Sequence, residues 1–398
     1  MMNGSLFNNI GNVLIAPGSF KDVLSSPKVC EMLENVLSES YSIQSIPMCD
    51  GGENTFEVLK KFYGQNAKIQ YVNDVYNPYG RIEQVPYLII NGKAFIVSSE
   101  ILHLNNNEDC FMNPLDLTDY GLGQLIKDAI KRSIKEVFLC LGGTSTIGYG
   151  LGVAQALGCE FFDISGRKLK APIRLSEYNC INSIYWNDRI KNDVSMTVIN
   201  DGITKGIDLD RVNPLKIGRH FSNKKRDILS RVDSLFSHVC QITGLSAYDP
   251  FSGNGGGIYY GIHNIFNPKY VKGSDFFCEI FNLENLIAKA DLVITGEGRF
   301  DNPDLEKIPI AVSKMAKKHC KPVVYVCGLI GHEMNLSGRG ITQNDYYKKE
   351  YGIDVILSCE EDYDPHIMEQ YYLASDYYIQ YSPIILKERF SQIGVKVK

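Results

Sequence analysis

The residues best suited to chemistry form a short segment at the end of an apolar run, Asp50-Gly51-Gly52-Glu53. Two consecutive glycines let the backbone turn sharply or approach a ligand closely, because glycine has no Cβ. The flanking acids place negative charge at the start of a helical pattern, where a metal ion or a hydroxyl could be held, and Thr55 adds a hydroxyl there. The alternative is helix capping by the acids, which does not require paired glycines. We therefore interpret the segment as part of a binding or catalytic site.

A second segment of similar composition lies near the other end of the chain. Residues 295–299 read Thr-Gly-Glu-Gly-Arg and follow a strongly apolar run, with Asp301 and Lys307 close behind. We expect both segments to be strand-to-loop junctions that form two walls of one active site, which brings Glu297 towards the first segment. The alternative is a charged loop with an internal pair between Arg299 and Asp301.

Composition narrows the class of protein. The chain has 398 residues, 44% of them hydrophobic, and a formal net charge of −5, so it can bury sizeable cores and a nucleic-acid partner is not favoured. No apolar run approaches the roughly 18 residues of a membrane span, and residues 1–9 do not resemble a signal peptide. The eleven scattered cysteines include no Cys-x-x-Cys pair, which fits reduced thiols in a cytoplasmic protein. The dispersed histidines argue against a zinc site.

Apolar runs alternate with amphipathic helical patterns at both ends of the chain. This alternation is typical of a parallel sheet covered by helices. The sequence therefore predicts an α/β fold: a doubly wound domain built from both termini, residues 1–66 and 288–398, with residues 67–287 inserted between its two parts. We expect residues 12–16 and 291–295 to share one sheet, with ligands bound beyond the carboxyl ends of the strands or in a cleft between domains.

The middle of the chain is less regular. Asn91-Gly92 predicts a hairpin between strands at 86–90 and 94–98, followed by a helix at 119–133 and a strand at 136–141. Residues 163–239 are polar and irregular, and no clear element is predicted there.

Several motifs, taken in order and spacing, resemble the glycerate kinase type-1 family of bacteria over roughly residues 12 to 360. They are Ile-Ala-Pro-Gly-Ser-Phe-Lys at 15–21, Asp-Gly-Gly-Glu at 50–53, Leu-Gly-Gly-Thr-Ser-Thr at 141–146, Ala-Gln-Ala-Leu-Gly at 154–158, Thr-Gly-Glu-Gly-Arg at 295–299 and Lys-Ile-Pro-Ile at 307–310. The resemblance implies a kinase that transfers phosphate from ATP, with Mg²⁺, to a hydroxyl of glycerate or a related small hydroxy acid. It also implies that the doubly wound domain of residues 1–66 and 288–398 is Rossmann-like and that residues 67–287 form an inserted α/β domain.

The motifs and the resemblance together indicate the site residues. Catalytic roles fall to Lys21, Asp50, Asp201 and Glu297, with Asp50 and Glu297 as the magnesium ligands. Binding of ATP or the acceptor is assigned to Gly51, Gly52, Glu53, Thr55, Gly142, Gly143, Thr144, Ser145, Gly256, Gly257, Arg299, Asp301 and Lys307. Backbone N–H groups at a glycine-rich strand-to-helix junction can bind an anion, although a tight structural turn has the same composition.

The chain departs from the family's motifs at several positions. Gly18 replaces an acid, Ile147 and Gly148 stand where the family has Asn-Asp, and the family's Phe-Gly-Pro-Gln-Lys-Gly loop has no counterpart. We therefore expect weak or no phosphorylation of glycerate, unless Ser145, Thr146 or Asn254 substitutes, and a gain on combining Ile147→Asn with Gly148→Asp.

Large aromatic residues also enter these segments. Tyr149, Tyr259 and Tyr260 are interpreted as filling or lining the pocket, which would suit an acceptor other than glycerate. The alternative function is a catalytically altered or inactive glycerate kinase-like paralogue that acts on a different acceptor or as a binding protein.

Other kinase and cofactor classes fit less well. The chain has no Gly-x-x-x-x-Gly-Lys-[Ser/Thr] segment and lacks the protein-kinase motifs. A nicotinamide dehydrogenase would need the third glycine of a Gly-x-Gly-x-x-Gly fingerprint, where Asp301 stands. The sequence leaves open the acceptor, the hydroxyl that is phosphorylated and the oligomeric state, of which a homodimer is one option.

Overall fold

The structure is a computed structural model that describes residues 7, 9–20, 23–103, 113–144, 146–187, 189, 194–206, 225–300, 307–330, 341–342, 344–359 and 375–397, with backbone only at 225–229 and 375–381. It is an α/β protein, as predicted. Contacts divide it into two compact units, unit 1 (Met1–Asp50 with Ser274–Lys398) and unit 2 (Gly51–Gly273).

The described strands are β1 (Asn12–Ile15), β2 (Ser42–Ser45), β3 (Ala67–Tyr76), β4 (Ile82–Ile90), β5 (Lys93–Val97), β6 (Glu136–Leu141), β7 (Glu160–Phe162), β8 (Ser183–Tyr185), β9 (Ser195–Asn200), β10 (Lys269–Lys272), β11 (Leu292–Phe300), β12 (Val323–Ile330), β13 (Ile341–Thr342) and β14 (Val355–Ser358). The described α-helices are α1 (Ser26–Leu37), α2 (Thr55–Tyr63), α3 (Tyr120–Lys131), α4 (Leu151–Ala156), α5 (Lys225–Thr243), α6 (Tyr259–Phe266), α7 (Gly273–Ile280), α8 (Leu283–Lys289), α9 (Ile308–Lys318), α10 (Asp345–Tyr351) and α11 (Ser375–Gln392). Short 3-10 turns lie at Gly64–Asn66, Ser98–Glu100, Pro114–Asp116 and Leu175–Cys180, and a four-residue helical turn lies at Asn254–Gly257.

Unit 1 is built on a six-stranded sheet in the order β13-β14-β12-β11-β1-β2. All neighbours run parallel except the pair of β13 and β14. β1 pairs with β11 in the register Val13 to Leu292 and Ile15 to Ile294, which confirms that segments from both ends of the chain share one sheet.

Helices cover both faces of this sheet, because alternate residues of each buried strand point to opposite faces. On one face Ile294, Val326 and Leu357 pack into a core shared with α1 and the end of α11. On the other face Tyr325 and Ile356 pack with residues of α9 and α10. This doubly wound arrangement explains why β12, β14 and the first three residues of β11 are almost continuously apolar.

One predicted loop belongs to a strand. Residues 295–299 were expected to follow a strand end, but β11 continues to Phe300 because β12 is long enough to pair with it, up to Phe300 opposite Ile330. Gly296 is required within this strand, since a Cβ there would lie 1.6 Å from the carbonyl oxygen of Val326.

Unit 2 contains a mixed six-stranded sheet in the order β10-β9-β6-β5-β4-β3. The predicted hairpin is present as antiparallel β4 and β5, whereas β5, β6, β9 and β10 run parallel. β9 is a central, largely buried strand in the stretch where no element was predicted. Its signal is weak because the strand is short and lies between long polar segments.

The unit boundaries differ from the predicted domain boundaries at 66/67 and 287/288. The contacts place the division after Asp50 and after Gly273. α2 packs on β3 and β4 and so falls in unit 2, while α8 packs on α9 and β1 and so falls in unit 1. Within the described part of the chain, no helix is both long and apolar enough to cross a membrane.

The three tyrosines that were expected to shape a pocket lie in the core of unit 2 instead. Tyr149 and Tyr260 are fully buried and Tyr259 is 4% exposed. Tyr149 stacks on Phe236 with ring centroids 5.4 Å apart, and Tyr259 and Tyr260 form an edge-to-face pair. Their aromatic faces pack against one another, so they stabilise the fold and present no stacking surface to a ligand.

A buried acid organises the same core. Asp119 is fully buried, and its two carboxylate oxygens accept hydrogen bonds from the backbone N–H groups of Gly150 at 2.8 Å and Val153 at 3.1 Å. Burial raises the pKa of the Asp119 carboxyl to about 7, and the two N–H donors oppose that rise. The carboxyl therefore caps the start of α4 at a cost in free energy that depends on pH.

We expect the stability of the protein to depend on pH through Asp119. The unfolded chain releases this proton near pH 4, whereas the folded chain holds it to about pH 7. The contribution of Asp119 to the free energy of unfolding is thus fully present below about pH 4 and is lost as the pH rises through 7. Between pH 5 and 8, urea unfolding should show the native protein losing roughly 2 kcal/mol relative to Asp119→Asn.

The matched control is Asp163→Asn. Hydrogen bonding from Ser165 lowers the pKa of Asp163, so its folded and unfolded pKa values both lie below pH 5. The difference in the free energy of unfolding between Asp163→Asn and the native protein should therefore be the same at pH 5 and pH 8. If the difference in the free energy of unfolding between the native protein and Asp119→Asn does not change between pH 5 and pH 8, the assignment is contradicted.

Candidate functional site

The first candidate site lies at the carboxyl ends of β1, β2 and β11 in unit 1, which we call the first edge. From β1 the chain crosses to β2 on one side, while β11 lies on the other, so the strand order reverses between β1 and β11. Such a switch point is where open α/β sheets bind ligands, because the loops diverge there. The loop after β1 is held against β11 by a hydrogen bond of 2.9 Å from Gly18 N–H to the Gly296 carbonyl oxygen.

A buried hydroxyl fixes two loops of the first edge to each other. Ser26, at the start of α1, donates a hydrogen bond of 2.8 Å to the Pro17 carbonyl oxygen and accepts one of 2.9 Å from Met48 N–H. The loop after β1 and the loop that leads to Asp50 are therefore held together, two residues before that acid.

The first edge contains an ion pair between two predicted site residues. Lys307 Nζ lies 3.3 Å from Asp50 Oδ2, and the two side chains are 32% and 20% exposed. Lys307 immediately precedes α9, and 257 residues separate it from Asp50 in the chain. The fold thus brings together one cation and one carboxylate from the two motifs, with both side chains still accessible to solvent.

Glu297 also lies at the first edge, at a half-buried position of β11. Its Oε1 accepts a hydrogen bond of 2.6 Å from the hydroxyl of Tyr325 on the neighbouring strand β12. Arg299, two residues further along β11, is exposed. The predicted residues Lys21 and Asp301 lie outside the described residues.

The second candidate site lies at the carboxyl ends of β5, β6 and β9 in unit 2, which we call the second edge. These three parallel strands end in register, with Val97 opposite Cys140 and Leu141 opposite Asn200. The residues that follow the strands are Ser98 and Ser99 after β5, Gly142 and Gly143 after β6, and Asp201 after β9. Motifs that are far apart in sequence therefore meet at one end of one sheet.

Close backbone contact holds the second edge together. A Cβ on Gly142 would lie 2.4 Å from Gly52 Cα and 2.9 Å from the carboxyl carbon of Asp201. A Cβ on Gly143, whose φ is +66°, would lie 2.7 Å from Glu53 Cγ. No side chain fits at either position, and the two predicted acids of unit 2 therefore lie beside the same pair of glycines.

The hydroxyls of the second edge are mostly buried. Ser98 donates a hydrogen bond of 3.3 Å to the Gly142 carbonyl oxygen. Thr55 Oγ1 and Thr146 Oγ1 are buried without a hydrogen-bond partner among the described residues. Thr144 is 7% exposed, and the predicted Ser145 lies outside the described residues.

The glycine-rich turn near residue 255 borders the same edge. Gly256, at φ +70°, could not carry a Cβ, which would lie 1.8 Å from the carbonyl oxygen of Thr146, and Gly257 has φ +81°. The amide of Asn254 is engaged by backbone: its Nδ2 donates to Gly202 O at 2.8 Å, and its Oδ1 accepts from Thr204 N–H at 2.9 Å. Asn254 therefore positions the loop after Asp201, which argues against its replacing a lost ligand contact.

The donor set fits magnesium only in part. Among the described residues, no group of three His, Cys, Asp or Glu side chains is arranged to hold a metal ion. Carboxylate oxygens such as those of Asp50 and Glu297 are the ligands that Mg²⁺ prefers, and Mg²⁺ usually binds through one or two carboxylates together with substrate phosphates. Asp50 and Glu297 therefore offer oxygen ligands of the kind that Mg²⁺ takes, without forming a three-ligand metal site among the described residues.

The sequence did not identify four residues that shape the two edges. Ser26 and Tyr325 hold the loop and the carboxylate of the first edge, and Ser98 and Ser99 lie at the second. A signal existed for Ser98 and Ser99, which lie at and directly after the end of a predicted strand. Ser26 and Tyr325 carried no such signal, because neither belongs to one of the motifs.

The fold and the two edges define an α/β enzyme with carboxylates, a lysine and glycine turns at strand ends, a set suited to phosphoryl transfer. Comparison with known proteins agrees. The model of the glycerate kinase family matches residues 13–205 and 219–345, and the chain belongs to this family. The expected class, a phosphotransferase with an alcohol group as acceptor, is thereby confirmed.

Individual relatives have low sequence identity to this chain but align with most of its length. A glycerate kinase of Neisseria meningitidis is 27% identical over 337 residues, which cover 81% of this chain and 86% of the relative. A glycerate 2-kinase of Escherichia coli is 27% identical over 365 residues, covering 87% and 90%. A crystal structure assigned as glycerate kinase 2 from Salmonella typhimurium LT2 superimposes with a TM-score of 0.69 at 22% identity, covering 96% of this chain and all of that one, which shows the shared fold.

The structure changes the interpretation of Gly148. A Cβ at this position would lie 2.1 Å from Asp119 Oδ2, and Tyr178 donates a hydrogen bond of 2.5 Å to the Gly148 carbonyl oxygen. The neighbouring Ile147 is 4% exposed. The segment is thus built into the core around Asp119, and adding an acid there would not restore a missing site group.

We therefore expect Gly148→Asp to destabilise the protein. The new side chain would collide with a buried carboxylate and place a second acid beside it, which should cost at least about 3 kcal/mol. Urea unfolding measures the loss. Ile147→Asn alone is the comparison, because it tests the neighbouring position without the clash. A Gly148→Asp protein as stable as the native one would refute this account.

Proposed function

We propose that the protein catalyses ATP-dependent phosphorylation of a hydroxyl of glycerate or a related small hydroxy acid, with Mg²⁺. The observation that carries the proposal is the meeting of three distant motifs, Gly51-Gly52-Glu53, Gly142-Gly143 and Asp201, at the second edge. These are segments in which the chain resembles the glycerate kinase family. The names of the relatives support glycerate as the acceptor.

The first edge supplies the groups that a magnesium nucleotide requires. Phosphoryl transfer depends on cations that neutralise the phosphates and carboxylates that hold the metal. We assign Lys307, with Lys21, to the phosphates, and Asp50 and Glu297 to Mg²⁺, which when bound would neutralise charge on the phosphate oxygens. The ion pair between Lys307 and Asp50 keeps both side chains placed before a nucleotide binds.

The second edge supplies the groups that an acceptor alcohol requires. We assign Asp201 to accept the proton of the attacking hydroxyl, because a carboxylate in hydrogen-bond reach of that hydroxyl is the usual general base. Glu53, across Gly143, would hold a second hydroxyl of the acceptor. The hydroxyls of Thr55 and Thr144 lie in the same motifs, and backbone N–H groups at 142–144 would bind the acceptor's carboxylate.

The assay that tests the function is ADP release from the native protein, with ATP and a panel of hydroxy acids that begins with glycerate. We expect release that requires both the acceptor and Mg²⁺ and stops when the metal is chelated. A hydroxy acid turned over faster than glycerate would identify the preferred acceptor. If no member of the panel supports ADP release and the protein does not bind ATP, the kinase function is excluded and the alternative of a binding protein is favoured.

A single methyl group tests whether the second edge is the reaction centre. In Gly142→Ala the new Cβ would push Gly52 and Asp201 away from position 142. Because a displacement of about 1 Å can cost about 100-fold in rate, we expect kcat/KM to fall by at least that factor. The control is Gly11→Ala, where the nearest contact would be 3.4 Å, and which should keep native activity. Native turnover by folded Gly142→Ala would move the reaction away from this edge.

A further inference from the structure

Tyr325 is the least expected residue of the first edge. It lies inside β12 and is fully buried, opposite Thr295 of β11 in the sheet register. Burying a phenol is costly unless its hydroxyl finds a partner, and here the partner is a half-buried carboxylate within β11. The hydroxyl therefore lies between the hydrophobic core and an accessible acid.

The contact between the two side chains is short. The Tyr325 hydroxyl donates to Glu297 Oε1 at 2.6 Å, within the range of O–H···O⁻ hydrogen bonds to an ionised carboxylate. Such bonds are about twice as strong as those between neutral groups. One oxygen of Glu297 is thus held by Tyr325, which restricts the orientation of the whole carboxylate.

The ring of Tyr325 is itself fixed by packing. Phe300 contacts it edge-to-face with ring centroids 5.0 Å apart, and Tyr347 contacts Phe300 in the same manner at 5.2 Å. All three rings belong to one buried cluster that lies between the sheet and the helices α9 and α10. The hydroxyl position is therefore set by the rigid core, and a rigid donor can orient an acceptor that is partly exposed.

We propose that Tyr325 is a positioning residue that holds the Glu297 carboxylate in the orientation needed to bind the magnesium ion of the nucleotide. The proposal rests on the proposed function and adds to it a residue outside the family motifs of the chain. Without the hydroxyl, Glu297 would sample other rotamers, and each binding event would have to restrict it again. The expected signature is weaker metal binding with an unchanged fold.

The experiment compares Tyr325→Phe with Tyr347→Phe. Both remove one hydroxyl from the same aromatic cluster, but only Tyr325 donates to Glu297. Mn²⁺ binding in the presence of ADP is measured directly by the electron paramagnetic resonance of unbound Mn²⁺, and the Mg²⁺ concentration for half-maximal turnover is measured alongside. We expect Tyr325→Phe to weaken both by roughly tenfold, as for a hydrogen bond to a charged group, and Tyr347→Phe to leave both unchanged.

A double-mutant cycle with Glu297→Gln separates positioning from general destabilisation. If Tyr325 acts through Glu297, Tyr325→Phe should change Mn²⁺ binding by less than about threefold once Glu297 is replaced. Equal effects in both backgrounds, or native-like metal binding by Tyr325→Phe, would overturn the proposal and leave the kinase function standing. A native protein that binds neither Mn²⁺ with ADP nor ATP would overturn the proposed function, and the role of Tyr325 with it.

Discussion

Backbone contact at glycine is the constraint on which the second edge depends and which also shapes the first. At Gly142 and Gly296 a methyl group would lie 2.4 Å and 1.6 Å from neighbouring backbone atoms. Side chains on either side of such contacts are brought closer together than packing through side chains would allow. Glu53 and Asp201 lie beside one pair of glycines for this reason, and at Gly296 the close contact joins β11 to Val326 of β12. The conformational entropy lost at each glycine is the cost of this proximity.

The charged groups at the two edges are held by partners of different kinds. Asp50 pairs with a lysine that is 32% exposed, which leaves both groups accessible, whereas Glu297 is bound by a phenol anchored in the core. Asp119 accepts hydrogen bonds from backbone N–H groups and is fully buried. Exposure therefore separates the acids that can meet a ligand from the acid that maintains the fold, although all three are carboxylates near a helix or strand terminus.

The segment at 147–150 shows why a motif difference need not be a loss of chemistry. Gly148 leaves space for the Asp119 carboxylate, and Tyr149 enters an aromatic core with Phe236 and Tyr260. These residues pack together in one core, in which an aromatic side chain and a buried acid fill the space beside the second edge. Tyr149 is therefore not available to bind an acceptor.

The sequence by itself determined the α/β class, the presence of β1 and β11 in one sheet, the hairpin of β4 and β5, and the motifs whose glycines and acids meet at the second edge. These follow from local periodicity and from the rule that parallel strands end at a common edge, which need no knowledge of side-chain contacts. Tertiary structure alone decided that β11 extends to Phe300, that β9 is a central strand and that α2 belongs to unit 2. It also decided the contacts of Tyr325 with Glu297 and of Asp119 with the loop before α4. Such contacts join residues about 30 positions apart through the register of strands and the space left by a missing Cβ, and neither is encoded in any short stretch of sequence.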